Sequence, residues 1–195
     1  MTPEALVRER FVESPLVHPS VLFRRERVLD LGGYRALGWP EDYDLWLRLL
    51  ADGARMAKCP EVLTYWRERP ERVTRTSPIC SPDAVARCKA HHLVVGPLFG
   101  RARVYLAGAG DDAKRLARAL ASEGRRVEAF LDLNPRRIGQ RIDGVPVCRI
   151  EDVRDTLGRD TFILAVIGGE GRRPGLRAYF EAFGLREGED WLCAA

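Results

Sequence analysis

Residues Arg103 to Ala107 form a short apolar run that passes directly into Gly108-Ala109-Gly110, and Asp111 to Glu123 then carries helical periodicity. A strand that turns on glycines into a helix restricts the architecture severely, because helical crossovers between strands are the hallmark of a parallel sheet. The following sequence keeps the pattern. Val127 to Leu131 is a second strand candidate ending at Asp132, and Thr161 to Ile167 is a third, followed by Gly168-Gly169 and a helix near Gly175 to Phe183. This alternation predicts an α/β fold for the second half of the chain.

The glycine loop itself matches Gly-x-Gly-x-x-Ala, and Asp132 lies 22 residues beyond Gly110. In a dinucleotide fold, glycines at Gly108 and Gly110 let a pyrophosphate approach the helix N-terminus, while an acid at the end of the next strand accepts from a ribose hydroxyl. Gly108, Gly110 and Asp132 are therefore the cofactor-binding candidates. A second reading stands beside this one. Asp111 and Asp112 put two negative charges where phosphate would need the positive helix end, Lys114 offsets only part of that, and Asp111 also suits a helix N-cap.

The first half is organised differently. Residues 3 to 13 have helical character, Ser14-Pro15 breaks it, and Val17 to Phe23 reads as extended. Arg24 to Leu31 predicts a short helix ended by Gly32-Gly33. From Asp42, apolar positions at Leu45, Trp46, Leu49 and Leu50 follow the i, i+3, i+4, i+7 rule of an amphipathic helix closed by Gly53. Val62 to Trp66 predicts a strand, and Asp83 to Leu93 a further helix. Gly96-Pro97-Leu98-Phe99-Gly100 interrupts both periodicities and marks a boundary between residues 1–96 and residues 101–195.

At the start of the amphipathic helix, Glu41-Asp42-Tyr43-Asp44 places three carboxylates beside an apolar run. Such acids complement the helix macrodipole and bind free N–H groups, which is one reading of Pro40-Glu41-Asp42. The other is chemical, since two adjacent carboxylates repel and one becomes a better proton acceptor at neutral pH. Trp46, at helical spacing, reads as core. Trp39 and Trp66 lie outside that periodicity and are candidates for a binding surface.

The ordered set HPSVLFRR, a Gly-Gly-Tyr turn, the acidic pair opening DLWLRL, and PEVLTYWRE resembles the acceptor-side half of family 2 glycosyltransferases, over roughly residues 14 to 75. The resemblance implies a partial GT-A glycosyltransferase segment followed by a small Rossmann-like parallel-sheet domain. It implies sugar transfer from a nucleotide diphosphate sugar to a glycan or lipid-linked acceptor in surface polysaccharide synthesis, with Asp42 as catalytic base and Glu41 as its partner. His18, Trp39, Trp66 and Arg67 would bind substrate, and a divalent metal (Mg or Mn) would serve the intact family enzyme, with none assigned to this chain's own residues. The family's donor-binding half, with its metal-binding Asp-x-Asp, would precede this segment, where about sixteen residues stand. The implied chain is a truncated one, inactive in isolation and served by a separate donor-binding chain or domain. Phe130 to Val147 in turn resembles the small Rossmann-like domains of sugar-modifying proteins, which implies nucleotide or nucleotide-sugar binding, or a scaffold role without catalysis.

Composition narrows the classes further. Up to Phe99 there are 15 basic and 13 acidic residues, and after it 17 and 15, so no basic stripe favours nucleic acid. Cys59, Cys80, Cys88, Cys148 and Cys193 are odd in number and lack Cys-x-x-Cys spacing, which argues against a disulfide framework or zinc site and fits a cytoplasmic chain. No run approaches the ~18 apolar residues of a membrane span, so membrane association would come through the acceptor. His91-His92 and Cys193 show no partner spacing and read as structural or surface features.

Overall fold

The computed structural model describes residues 1–65, 67 and 69–195. Seven α-helices and six strands are assigned among them: α1 (Pro3–Glu9), α2 (Arg25–Asp30), α3 (Glu41–Ala51), α4 (Val73–Thr76), α5 (Pro82–Val95), β1 (Arg103–Ala107), α6 (Asp111–Ser122), β2 (Ala129–Leu131), β3 (Arg141–Ile142), β4 (Val145–Cys148), β5 (Thr161–Ala165), α7 (Arg173–Ala182) and β6 (Trp191–Cys193).

The strands form one sheet in the order β3-β4-β2-β1-β5-β6, parallel except for the β3–β4 hairpin. Period-2 alternation then sorts the side chains. Val104 and Leu106 of β1, with Phe130, Phe162 and Leu164, face α6 and α5, whereas Tyr105, Ala107, Leu131, Ile163 and Ala165 face Phe180 of α7. Both faces are thus covered, as a mostly parallel sheet requires.

The first cluster does not stop at the glycine-rich boundary. Phe11, Tyr43, Leu47, Leu93 and Leu98 belong to the same buried group as the β1, β2 and β5 residues. Polar ties cross it as well: the Lys89 ammonium donates to the carbonyls of Val12 and Ala194 at 2.8 and 2.9 Å, and Arg177 of α7 pairs with Glu9 of α1 at 2.6 Å. On its other side α3 buries Leu45, Trp46 and Leu49 against Val28 of α2. An eleven-residue helix buried nearly all round must place its few polar groups deliberately.

Two local expectations need correction. Val17 to Phe23 is not uniformly extended, because His18–Ser20 forms a 3₁₀ turn with Pro19 inside it. Val62 to Tyr65 is not a strand: the run has β-forming residues but no paired edge, and Val62, Leu63 and Tyr65 are 72%, 75% and 91% exposed. Trp66, the last residue of that expected strand, lies outside the described residues. Among the described residues no helix is long and apolar enough to cross a membrane, and the five cysteines are unpaired.

Candidate functional site

Pro40, with φ −60°, presets the entry to α3, so Glu41, Asp42 and Tyr43 occupy the first turn, where backbone N–H groups lack helical partners. Asp42 Oδ1 accepts from the Tyr43 N–H at 2.7 Å. Its Oδ2 is turned toward His18, 4.0 Å from Nδ1, and the side chain keeps 24% exposure. His18 Nε2 lies 2.8 Å from the Tyr34 hydroxyl, and the imidazole meets Trp46 edge-on at 5.9 Å. Glu41 stands half-buried at the same helix end. Burial, then the charges of Asp42 and Glu41, push the Tyr34 phenol up, and the same three causes push up the Cys80 thiol. Two carboxylates, an imidazole, a phenol and a thiol from four separate segments thus converge on one helix terminus.

The arrangement offers a partly open carboxylate with one oxygen fixed by its own backbone and the other directed at an imidazole. Such a group can accept a proton from a hydroxyl brought to Oδ2. The helix-start role and the chemical role therefore coexist on Asp42.

The other expected substrate residues are dispersed. Trp39 meets His91 at 5.5 Å in a tilted ring pair and packs against the sheet cluster. Arg67 is exposed, and Trp66 is outside the described residues. A large open groove of about 1010 Å³ lies beyond Trp46, with Val21, Leu22, Phe23 and Val62 on its apolar walls and Arg24, Arg27, Arg55 and Lys58 among its charges. Neither Glu41 nor Asp42 lines it, so Trp46 stands between the groove and the His18 side of the acids.

Behind the acid pair sits a polar network that sequence reasoning did not find. Asp44 and His92 are 1% and 8% exposed. Asp44 Oδ1 accepts from His92 Nε2 at 2.8 Å and Oδ2 from Arg48 Nε at 2.8 Å, while the remaining Arg48 nitrogens donate to the carbonyls of Leu31 and Gly33 at 2.8 and 2.7 Å. Burial would raise the Asp44 carboxyl, but the hydrogen bonds from His92 and Arg48 outweigh it and hold it at about 2. Asp44 and Arg48 are spaced i, i+4 on one helix, which was the available signal; nothing in the sequence pointed to His92, 48 residues away.

Asp44, Cys88 and His92 also bring three ligand-type atoms within 4.8 Å of one another. The set does not fit Mg or Mn. Those ions take hard oxygen ligands, whereas this set offers one carboxylate with a thiol and an imidazole, and Arg48 already places a positive charge on that carboxylate. Burial further holds the Cys88 thiol protonated.

The second candidate lies at the carboxyl ends of β1, β2 and β5, where strand order reverses direction around β1 and ligands bind in folds of this kind. A cavity of about 340 Å³ opens there, lined by Gly108, Gly110, Asp132, Arg137, Arg172 and Tyr179 over an apolar floor that includes Ile150, Val166 and Leu176. Gly108 has φ +107°, and an added Cβ would stand 2.5 Å from the Val166 carbonyl oxygen. Gly110, in contrast, faces open space. Asp132 Oδ1 accepts from the Asn134 N–H at 2.9 Å and its Oδ2 from Arg137 at 3.1 Å. Asp111 and Asp112 do not line the cavity; they are exposed and paired with Lys114 and Arg115 at 3.1 and 2.7 Å. Gly110 rather than Asp111 occupies the N-cap position.

No protein-family model matches the sequence. The chain is 34% identical over 64 residues to the amylovoran biosynthesis glycosyltransferase AmsE of Erwinia amylovora, covering 33% of this chain and 24% of that protein. It is 42% identical over 53 residues to an uncharacterized glycosyltransferase of Haemophilus influenzae, covering 27% and 19%. It is 34% identical over 79 residues to the UDP-Gal:alpha-D-GlcNAc-diphosphoundecaprenol beta-1,3-galactosyltransferase of Escherichia coli, covering 40% and 28%. The chain is thus related to glycosyltransferases and spans about a quarter of the length of the curated relatives it matches. Among solved structures, the Rex-family repressor RSP aligns with TM-score 0.39 and 19% identity over 56% of this chain and 59% of that one. RSP in complex with β-NAD⁺ and operator DNA aligns with TM-score 0.39 and 14% identity over 89% and 86%. Neither likeness bears on function.

Proposed function

We propose that residues 1–96 form the acceptor side of a family 2, GT-A type glycosyltransferase, joined to a Rossmann-like unit over residues 101–195. The observation that carries this reading is the convergence of Asp42, His18 and Tyr34 at the partly open start of α3, within a chain whose curated relatives described above are all named as glycosyltransferases. In the reaction, the acceptor hydroxyl sits at Asp42 Oδ2 and gives up its proton as its oxygen attacks the anomeric carbon of a nucleotide diphosphate sugar. The nucleotide diphosphate leaves, and the sugar configuration inverts. His18, held by Tyr34, faces the same oxygen and positions the acceptor. Glu41 stands beside Asp42 at the same helix end and helps to position the acceptor. A divalent metal would supply charge neutralisation at the leaving diphosphate; the described residues offer it no fitting ligand set, and no step here passes through it. The acceptor is a glycan or lipid-linked saccharide of a surface polysaccharide, reached from the cytoplasmic side.

The donor is held by a separate donor-binding chain or domain. Transfer of labelled sugar to a lipid-linked acceptor, assayed with and without such a half, tests the reading. Transfer should require the donor-binding half and vanish in Asp42→Asn. Robust turnover by the purified 195-residue chain alone would overturn the division of labour, and full activity in Asp42→Asn would overturn the base.

A second reading is favoured by the cavity at the glycine loop: the chain binds a nucleotide or nucleotide sugar there without catalysis. Saturable binding lost in Gly110→Glu supports it, and binding unaffected by that substitution counts against it.

A further inference from the structure

Resting on that second reading, we infer that the glycine-loop cavity is built for a nucleotide carrying an additional phosphate on its ribose, a 2′- or 3′-phospho-ADP moiety, rather than for a plain nucleotide diphosphate sugar.

The argument starts from Asp132. An acid at the end of the second strand recognises an unmodified ribose by accepting from its hydroxyls, which requires carboxylate oxygens open to the cavity. Here each oxygen already takes one hydrogen bond, from the Asn134 N–H and the Arg137 guanidinium, and the side chain is only 13% exposed, so little of the carboxylate is open to a ribose. Arg137, 46% exposed, keeps further N–H groups available at the cavity wall. The ribose end of the site therefore presents a cation, with the acid behind it as its orienting partner. A guanidinium in this place matches a ribose phosphate, which it can bind with two parallel hydrogen bonds.

A second cation stands across the cavity. Arg172 lines it from the segment after β5, its stem lying 3.9 Å from where a Cβ on Gly169 would stand, and its guanidinium has no hydrogen-bond or ion-pair partner among the described residues. Arg137 follows β2 and Arg172 follows β5, the two strands flanking β1, so they arise from strands about 10 Å apart. Between them the backbone of Gly108 to Gly110 is bare. Gly110 leaves open space where any side chain would intrude, and the two acids of α6 that would repel phosphate are turned out to solvent. The layout has two anion positions separated by a glycine floor, which fits a diphosphate near the loop and Arg172 and a ribose phosphate at Arg137. A nucleotide sugar, with its only phosphates in the diphosphate, would leave Arg137 unused.

Calorimetric titration of the full chain with 2′,5′-ADP, 3′,5′-ADP, ADP and UDP-glucose tests the inference. One of the two bisphosphates should bind at least tenfold more tightly than ADP, and which one does so places the phosphate on the 2′ or the 3′ carbon. Arg137→Ala should erase most of that preference while leaving ADP binding little changed. Arg172→Ala should weaken all phosphorylated probes together. Both arginines are surface groups, and unchanged thermal melts of the variants would show that the fold is intact. ADP or UDP-glucose binding as tightly as both bisphosphates overturns the inference while leaving nucleotide binding standing. Failure of all four probes to bind overturns both.

Discussion

The imidazole of His92 and the carboxylate of Asp44 meet at 2.8 Å in the interior, joining α5 to α3. Because Arg48 occupies the other carboxylate oxygen and also holds the Leu31 and Gly33 carbonyls, this pair fixes the turn that delivers Tyr34 to His18. The buried network thus underlies the exposed site without touching it.

Removing one member of such a network leaves the others desolvated and unpaired. Asp44→Ala should therefore cost about 3 kcal/mol or more of unfolding free energy, read from urea denaturation. A loss below about 1 kcal/mol would mean that Arg48 and His92 find water or other partners, and that the network is less closed than its geometry shows.

The same carboxylate sets an acid limit on stability. Its ordinary value of 3.8 falls to about 2 in the fold, against the effect of burial and through the His92 and Arg48 hydrogen bonds. A depressed carboxyl stabilises fully above its unfolded value and loses that contribution as pH falls through its folded value. Stability should thus drop by about 2 kcal/mol between roughly pH 4 and pH 2 on account of this group. The difference between wild type and Asp44→Asn, measured by denaturant titration at each pH, isolates it. That difference should shrink across this window, and a constant one would refute the assignment.

The two glycines of the loop should respond oppositely to alanine. At Gly108 the positive φ and the approach to the Val166 carbonyl leave no room for a methyl group, so Gly108→Ala should lower stability by at least about 2 kcal/mol. Gly110 has φ −79° and open space around it, so Gly110→Ala should fold with less than about 1 kcal/mol of change. Thermal melts of the pair decide this. Equal destabilisation would show that the loop is not the rigid element its geometry describes.

The parallel core of the sheet was legible because β1, β2 and β5 each announce themselves by an apolar run closed by glycine or aspartate, and β1 occupies the residues expected of it. Two pieces escaped. The β3–β4 hairpin turns on Asp143-Gly144, with φ 50° and 81°, a two-residue signal that can be read from sequence but is easily lost between short strands. β6 is three residues long and gains strand character only by pairing with β5. The acid pair was legible as a site candidate, yet its surroundings were not. Tyr34, Cys80 and His92 reach α3 through tertiary packing, which no local periodicity encodes. Val62 to Tyr65 shows the converse error, where β propensity without a neighbouring edge makes no strand.

Asp42 carries two duties that one pair of substitutions separates. Its Oδ1 binds the Tyr43 N–H at the start of α3, and its Oδ2 faces His18. Asn in its place keeps an oxygen for the Tyr43 N–H but no longer accepts a proton, so Asp42→Asn should stay within about 0.5 kcal/mol of wild type while abolishing transfer in the assay with the donor-binding half. Alanine removes both functions, and Asp42→Ala should cost about 1 kcal/mol in addition to losing transfer. If asparagine proves as destabilising as alanine, the negative charge at the helix start, and not the hydrogen bond, is what Asp42 contributes to the fold. If asparagine retains transfer, the proton goes elsewhere, and His18 becomes the group to replace next.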